Sequence, residues 1–166
     1  MIVRSETESD IEAIERVTVA AFENHPYSRN TERFIIRALR TAHALTLSLV
    51  AEVDGRVVGH IAFSPVTIAG RLCGWYGVGP VSVLPCCQRQ GIGKSLVREG
   101  LSRLRSSGAN GCALVGDPNY YQRFGFRNFP ELIHEGIPRE YFLVLPFGEN
   151  RAAGVVMFHE AFRATG

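Results

Sequence analysis

The stretch Val81-Ser82-Val83-Leu84-Pro85-Cys86-Cys87-Gln88-Arg89-Gln90-Gly91-Ile92-Gly93-Lys94-Ser95 joins a predicted strand to a predicted helix through a glycine-containing loop. The valines on either side of Ser82 predict the strand, and Pro85 ends it because proline lacks the N–H that a strand ladder needs. Gly108 is the predicted end of the helix, whose apolar residues recur at helical spacing: Ile92, Leu96, Val97, Leu101 and Leu104.

The loop Gln88–Ser95 has the features of an anion site. A helix that begins in a glycine loop directs unpaired backbone N–H groups and the positive end of its dipole at whatever lies before it. Gly91 and Gly93 carry no side chains that would keep a phosphate away from the backbone, while Arg89 and Lys94 add positive charge. A phosphate group is therefore the expected ligand.

Two common phosphate loops fit this stretch poorly. The P-loop of nucleoside triphosphatases ends in Gly-Lys-Ser/Thr, which Gly93-Lys94-Ser95 supplies, but its first glycine would fall on Gln88. The dinucleotide-binding fingerprint Gly-x-Gly-x-x-Gly/Ala would place its third glycine at Leu96. A nucleotide-binding protein is an alternative that these positions disfavour.

A third pattern, Gln/Arg-x-x-Gly-x-Gly/Ala, is matched at every position by Gln88–Gly93, and here the chain resembles the GCN5-related N-acetyltransferase (GNAT) family. A second motif follows in the family's order. The segment Tyr121-Gln122-Arg123-Phe124-Gly125-Phe126 resembles the family's Tyr-x-x-x-Gly-Phe signature. Together with the preceding Gly116-Asp117-Pro118-Asn119-Tyr120, it is most similar to the YhbS-type subgroup of predicted acetyltransferases.

The resemblance implies the GNAT acyltransferase fold, of class α/β (α+β). In that fold a mixed, mostly antiparallel central sheet has helices on both faces, and strands four and five splay apart. The chain's own pattern is compatible with this: turns at Asp54-Gly55 and Ala69-Gly70 predict an antiparallel meander, and the apolar run Gly111–Gly116 predicts a strand parallel to the fourth. We expect residues 1–166 to form a single N-acetyltransferase domain.

Two helices are predicted before the meander, and two strands after the second motif. Ser9 is the expected cap of the first helix, with Glu12 at the capping-box position, and the second helix begins near Thr31. In the resembled family, the connection between these helices flanks the acceptor groove. Candidate acceptor contacts there are Glu23, His25, Tyr27 and Arg29, although an ordinary solvated loop explains them as well. The later strands are predicted at Tyr141–Leu145 and Gly154–Phe158.

The resemblance also implies a co-substrate, acetyl-coenzyme A (acetyl-CoA), whose pyrophosphate binds the loop and whose pantetheine arm bonds to the backbone of the fourth strand. Leu114 stands where many relatives carry Asn, so that contact is expected to be missing. The cofactor-binding residues expected on this basis are Val81, Ser82, Val83, Gln88, Arg89, Gln90, Gly91, Ile92, Gly93, Lys94, Ser95 and Asn119.

Tyr121 occupies the position of the family's general acid, with Tyr120 as the neighbouring alternative. A phenol keeps its proton at neutral pH and can give it to the departing thiolate. No carboxylate lies on the fourth strand between Trp75 and Leu84, so a base there, used by some relatives, is absent; other candidates for the base are Glu23, His25, Glu52 and His60. The expected reaction is direct acetyl transfer to a primary amine of a small molecule or peptide. A non-catalytic acyl-CoA sensor is the alternative, because it would keep the loop without needing an acid.

The composition argues against a nucleic-acid-binding protein and against a membrane-spanning one. The chain has 166 residues, 46% hydrophobic and 20% charged, with a net charge of +2 and no long Lys/Arg run, so we expect no nucleic-acid binding. No stretch is long and apolar enough to predict a membrane span, and the first residues lack a signal-peptide core. We therefore expect a cytoplasmic protein, acting as a monomer or homodimer.

The four cysteines show no Cys-x-x-Cys spacing and no accompanying His cluster, so no metal site is predicted. Cys86 and Cys87 are adjacent and precede the loop. They are either two small residues at a turn, the interpretation we favour, or a redox-sensitive thiol beside a positive helix end.

Overall fold

A computed structural model describes residues 1–149 and 151–166. The strands are β1 (Ile2–Ser5), β2 (Leu47–Val53), β3 (Arg56–Ile68), β4 (Arg71–Val83), β5 (Gly111–Val115), β6 (Leu132–Ile133), β7 (Phe142–Pro146) and β8 (Gly154–Met157). The helices are α1 (Ile11–Phe22), α2 (Glu32–Thr41), α3 (Ile92–Ser106) and α4 (Pro118–Tyr121).

The strands form a mixed sheet in the order β1-β2-β3-β4-β5-β7, and β8 pairs with β3 and with β6. The pairings β1–β2, β2–β3, β3–β8 and β5–β7 are antiparallel, whereas β4–β5 and β6–β8 are parallel. This confirms the predicted class: a mostly antiparallel sheet with β5 parallel to β4. The two-residue strand β6 is too short to give an alternating pattern, and the sequence did not predict it.

The chain divides into two compact units. The first unit comprises Met1–Phe63, Gly79–Ser102 and Glu160–Gly166, and the second comprises Ser64–Val78 and Arg103–His159. Both β3 and β4 contribute residues to each unit, because the boundaries fall inside these strands.

In the first unit, helices lie on both faces of the β2–β3 pair. On one face, Val50 packs with Ile14 of α1 and Ile36 of α2. On the other face, α3 approaches closely: a Cβ added at Gly100 would lie 2.3 Å from the ring of Phe63. Because no side chain could fit in that space, a glycine is needed in the middle of α3.

The start of α1 differs from the sequence prediction, in which Ser9 is the cap and Glu12 completes a capping box. A 3-10 turn at Glu8–Asp10 precedes the helix, and the Asp10 carboxylate accepts the Thr7 N–H at 2.7 Å. Arg4 binds the same carboxylate through two N–H groups, at 2.7 and 3.0 Å, which holds the pKa of Asp10 well below its usual range. Thr7 and Asp10 thus form a capping box two residues before the predicted one, and the ion pair with Arg4 reinforces it. The second helix begins at Glu32, after Thr31, as predicted.

In the second unit, β5 pairs with the first part of β4. The register runs from Trp75 opposite Gly111 to Gly77 opposite Ala113. Trp75 is buried in a cluster with Val66, Leu132, Phe142, Val144 and Val156. A Cβ at Gly111 would lie 2.7 Å from the Trp75 ring, so the glycine lets the indole lie against β5.

Candidate functional site

The loop after β4 has the geometry of an anion site. Its two left-handed residues, Arg89 (φ 63°) and Gly91 (φ 84°), turn the chain into α3. The first bond of the helix joins the Ser95 N–H to the Gly91 carbonyl at 3.0 Å. The preceding N–H groups, of Ile92, Gly93 and Lys94, consequently have no acceptor within the helix and gather at its positive end.

The loop residues differ in what they expose. Gln88, Arg89, Gln90 and Gly91 are exposed, whereas the side chain of Ile92 is buried in the core. Ile92 can therefore contribute only its backbone N–H to a ligand. The remaining predicted residues, Gly93, Lys94 and Ser95, are half-buried at the first turn of α3.

The end of β4 supplies further backbone groups. The Leu84 N–H donates to the Val58 carbonyl of β3 at 2.9 Å. Since successive residues of a strand direct their backbone polar groups to opposite edges, those of Val81 and Val83 point away from β3. The Gln88 side chain already donates from Nε2 to the Val83 carbonyl at 3.1 Å. The Val83 N–H and both polar groups of Val81 therefore face the edge of β4 opposite β3, beyond the last β4–β5 pair of the described register, Gly77 opposite Ala113.

The Gln88–Val83 hydrogen bond was not predicted from the sequence, and it ties the loop to the strand. The loop motif identifies Gln88, but nothing in the motif says which carbonyl its amide reaches. Ser82, predicted as a cofactor contact, is only 1% exposed, and its Oγ has no hydrogen-bond partner among the described residues.

The second motif forms the short helix α4 in the second unit. Asp117 caps it, since its Oδ1 accepts the Asn119 N–H at 2.9 Å, and Pro118 occupies the first helical position. A 3-10 turn follows and ends at Gly125, whose φ of 97° is the left-handed conformation that glycine favours. The short helix ending at Gly125 is thereby confirmed. The capping role of Asp117 was missed, although an Asp-Pro pair is a typical helix start.

Tyr121 lies in an aromatic cluster. Its ring is 4.9 Å from that of Tyr120 and 6.0 Å from that of Phe126, measured between centroids. The ring also passes so close to Gly116 that a Cβ there would lie 2.6 Å from Cε2. Burial, and then the neighbouring Tyr120, raise the pKa of Tyr121 well above its ordinary value. The phenol therefore keeps its proton throughout the neutral range.

Tyr120, the alternative acid, has a different environment. The Arg123 guanidinium lies 4.6 Å from the centre of its ring, and Arg123 Nε donates to the Tyr120 carbonyl at 2.8 Å. Burial raises the pKa of Tyr120, but the charge of Arg123 opposes that effect. Tyr121 is thus the more desolvated phenol of the pair.

The candidate bases on the meander are engaged elsewhere. His60 is completely buried, and its Nε2 lies 2.7 Å from the Ser48 hydroxyl; burial, with a smaller effect of the Arg40 charge, lowers the pKa of His60 to about 3. Glu52 lies 3.6 Å from Arg4. In the connection between α1 and α2, Glu23 and His25 are exposed. The geometry therefore assigns no general base.

Residues 1–149 and 151–166 contain no group of three or more His, Cys, Asp or Glu side chains placed to hold a metal ion. None of the helices in these two ranges is long and apolar enough to cross a membrane.

The glycine loop and the tyrosine motif stand within a matched family model, described as an acetyltransferase (GNAT) domain, which covers residues 2–129. The chain belongs to the GNAT acetyltransferase family. The resemblance inferred from the two motifs and the expected type of enzyme are confirmed at this level. A relative from Escherichia coli K12, called uncharacterized N-acetyltransferase YhbS, is 37% identical over 127 residues, which is 76% of this chain and 73% of the relative.

Two crystal structures resemble this GNAT chain over nearly its whole length, so the GNAT fold predicted from the motifs is confirmed. A GNAT family acetyltransferase from Brucella melitensis in complex with acetyl-CoA is 52% identical, with 97% of each chain covered and a TM-score of 0.87. The E. coli YhbS structure in complex with CoA is 32% identical and has a TM-score of 0.91, with 99% of this chain and 93% of that chain covered.

Proposed function

We propose that this GNAT chain is an acetyl-CoA-dependent N-acetyltransferase that transfers the acetyl group directly to a primary amine, and that residues 1–166 act as one domain. Two similar structures hold acetyl-CoA and CoA, which supports the co-substrate. The passage of β3 and β4 through both compact units supports the single domain.

The observation that carries the proposal is the group of N–H donors at the start of α3. The N–H groups of Ile92, Gly93 and Lys94 have no acceptor within the helix, and Gly91 leaves space in front of them, with nothing within 4 Å of its added Cβ. We expect this group to bind the pyrophosphate of acetyl-CoA, as backbone donors at helix N-termini do in other phosphate sites. The remaining predicted loop residues lie next to these N–H donors in the chain: Gln88, Arg89, Gln90 and Ser95.

The pantetheine arm needs partners for its own amide groups. The backbone groups of Val81 and the Val83 N–H point to the edge of β4 opposite β3 and match that need. Ser82 contributes to this segment through its backbone, because its side chain is buried. The Asn119 N–H already donates to Asp117, so the side-chain amide of Asn119 is the group that could reach the cofactor.

The reaction follows from the thioester. The amine nitrogen attacks the acetyl carbonyl carbon, a C–N bond forms, and the C–S bond breaks with its electron pair leaving on sulfur. Tyr121 gives its proton to this thiolate, and the attacking nitrogen loses its extra proton to solvent. Burial raises the pKa of Tyr121, so the phenol carries its proton at neutral pH, and the proton is present when the thiolate forms.

Binding is tested by thermal unfolding of the protein with acetyl-CoA, with ATP–Mg²⁺ and NAD as controls. At a free concentration a hundred times Kd, a ligand that binds only the folded state stabilises it by about 2.7 kcal/mol. We expect a shift with acetyl-CoA alone. A shift only with ATP or NAD, or no shift, would show that the loop has another role.

Catalysis is tested by comparing Tyr121→Phe with Tyr120→Phe as the matched control. Loss of a general acid costs about 10²- to 10⁴-fold in turnover, so we expect Tyr121→Phe to fall in that range with acetyl-CoA affinity unchanged. Tyr120→Phe should retain most of its turnover. Acetyl-CoA binding without thiol release on any amine would instead favour a non-catalytic sensor. The amine acceptor, small molecule or peptide, is to be found by screening for thiol release; a cytoplasmic monomer or homodimer stays a prediction from the sequence.

A further inference from the structure

Cys86 and Cys87 lie in the 3-10 turn Pro85–Cys87, directly before the glycine loop. Their Sγ atoms are 3.6 Å apart, which is van der Waals contact for two sulfurs. Cys86 is exposed and Cys87 half-buried, whereas Cys112 is buried inside β5. Direct acetyl transfer needs no protein thiol, so the proposed function leaves this pair without a part.

We propose that Cys86 and Cys87 form a reversible disulfide by exchange with a low-molecular-weight disulfide, which makes this turn a redox-sensitive modification site. The inference goes beyond the proposed function and rests on three observations. The two sulfurs touch, one of them is open to solvent, and both belong to the turn that leads into the loop.

The exchange proceeds in two steps. The Cys86 thiolate attacks one sulfur of the small disulfide, whose S–S bond breaks; one small thiolate leaves and takes up a proton, and a mixed disulfide forms at Cys86. The Cys87 thiolate then attacks Cys86 Sγ and displaces the second small thiolate, which is also protonated. Two protein thiols are oxidised to one disulfide, and one small disulfide is reduced to two thiols.

The local interactions favour this order of attack. The hydrogen bond with Cys86 raises the pKa of Cys87, as do burial and the charge of Cys86, whereas the positive charge of Arg56 acts in the opposite direction. The two sulfurs share this contact, and the exposed sulfur of Cys86 is the one that a small disulfide reaches first. The second thiol is then already in place to complete the exchange.

Reversibility follows from the covalent geometry of neighbouring residues. Consecutive Cα atoms lie about 3.8 Å apart across a trans peptide, and disulfides usually join Cα atoms about 4.4–6.8 Å apart. A disulfide between neighbours is therefore strained, and strained or exposed disulfides are the easily reduced ones.

Oxidation should also disturb the loop. Within the turn, Cys87 N–H donates to the Leu84 carbonyl at 2.8 Å, and the Cys86 carbonyl faces Gln90 Nε2 at 3.5 Å. The Cys86 carbonyl and the Cys87 N–H both belong to the peptide between the two cysteines, so we expect closure of the ring to shift this peptide and weaken these contacts. We expect the shifted loop to make one net hydrogen bond fewer to acetyl-CoA, which raises the Kd about two- to tenfold. This expectation alone rests on the proposed function.

The test treats the reduced protein with oxidised glutathione and measures the mass of the intact chain and of the peptide that contains both cysteines. We expect the wild type to lose two hydrogen atoms in that peptide and to regain them with dithiothreitol. The Cys73→Ser variant should behave as the wild type, because Cys73 packs half-buried against the Trp75 cluster. Cys86→Ser and Cys87→Ser should not form the bond.

An unmodified dithiol, a stable glutathione adduct in the wild type, or a bond to Cys73 or Cys112 would each overturn the proposal. Acetyl-CoA affinity is then compared between reduced and oxidised protein. If the reduced protein does not bind acetyl-CoA, the proposed function fails, and the mass measurement still decides whether the disulfide forms.

Discussion

Gly116→Ala places a methyl group against the phenol proposed as general acid. The new Cβ would lie 2.6 Å from Tyr121 Cε2 and 3.0 Å from Cδ2, whereas carbon atoms make favourable contact at about 3.5–4.0 Å. Tyr121 must therefore move by about 1 Å. A displacement of that size at a reacting group costs about 100-fold in rate, so we expect kcat to fall about 100-fold.

The neighbouring rings leave Tyr121 little freedom to yield without losing its position. Tyr120 and Phe126 hold the phenol edge-on. We expect a stability loss of about 1–3 kcal/mol from overpacking, and an acetyl-CoA Kd within about twofold of the wild type, since the loop is untouched. Turnover is measured by thiol release with an amine found by screening, and the free energy of unfolding is measured in urea.

A double-mutant cycle isolates the mechanism. If Gly116→Ala acts by displacing the hydroxyl, it should cost far less in a Tyr121→Phe background, where no hydroxyl remains. If Gly116→Ala lowers kcat by the same factor in both backgrounds, the reasoning is refuted, because the substitution would then act independently of the Tyr121 hydroxyl. Unchanged turnover in Gly116→Ala alone would refute it as well.

Three further predictions concern the loop, a buried histidine and the phenol. Arg89 and Gly91 both have a left-handed backbone, which glycine adopts more easily than other residues. Arg89→Gly should therefore raise the free energy of unfolding in urea by about 1 kcal/mol, and Gly91→Ala should lower it by about 1 kcal/mol. Changes of the same sign in the two variants would contradict this. The pKa of His60 is about 3 in the folded protein against 6.5 when unfolded, so the contribution of neutral His60 to the free energy of unfolding is complete above pH 6.5 and is lost as pH falls. Between pH 7 and pH 4.5, the free energy of unfolding of the wild type should therefore fall by about 2–3 kcal/mol more than that of His60→Gln. Equal losses in the two proteins would exclude this linkage. Because burial raises the pKa of Tyr121, kcat should show no falling limb up to about pH 10, and a fall near pH 9 would argue against this residue as the acid.

The features that the sequence predicted well are local ones. The hairpin turns at Asp54-Gly55 and Ala69-Gly70 carry their own backbone signals, and both pairs adopt positive φ angles. The loop Gln88–Ser95 is likewise predicted by its glycines, which stand at the start of a helix. Such features depend on neighbours in the chain, and no tertiary contact is needed to specify them.

What the sequence did not reveal depends on residues distant in the chain. The start of α1 is an exception, because it is marked by a local capping box of Thr7 and Asp10, which lies two residues before the predicted box of Ser9 and Glu12 and is reinforced by the ion pair of Asp10 with Arg4. The alternation of β3 could not show that His60 would be completely buried with Ser48 as its partner. The role of Gly100 is also tertiary, because only the packed ring of Phe63 reveals that an interior glycine is required.

The 3-10 turn Glu160–Arg163 has a consequence for how the protein is synthesised. Ala161 packs with Ile35 and Leu39 of α2 and with Ala44, so this part of the first unit is completed by an element far along the chain from α2. On the ribosome, α2 emerges long before its cover does. Until the residues around Ala161 have been synthesised, this apolar side of Ile35 and Leu39 lacks its cover, and exposed apolar surface of this kind favours aggregation of a nascent chain.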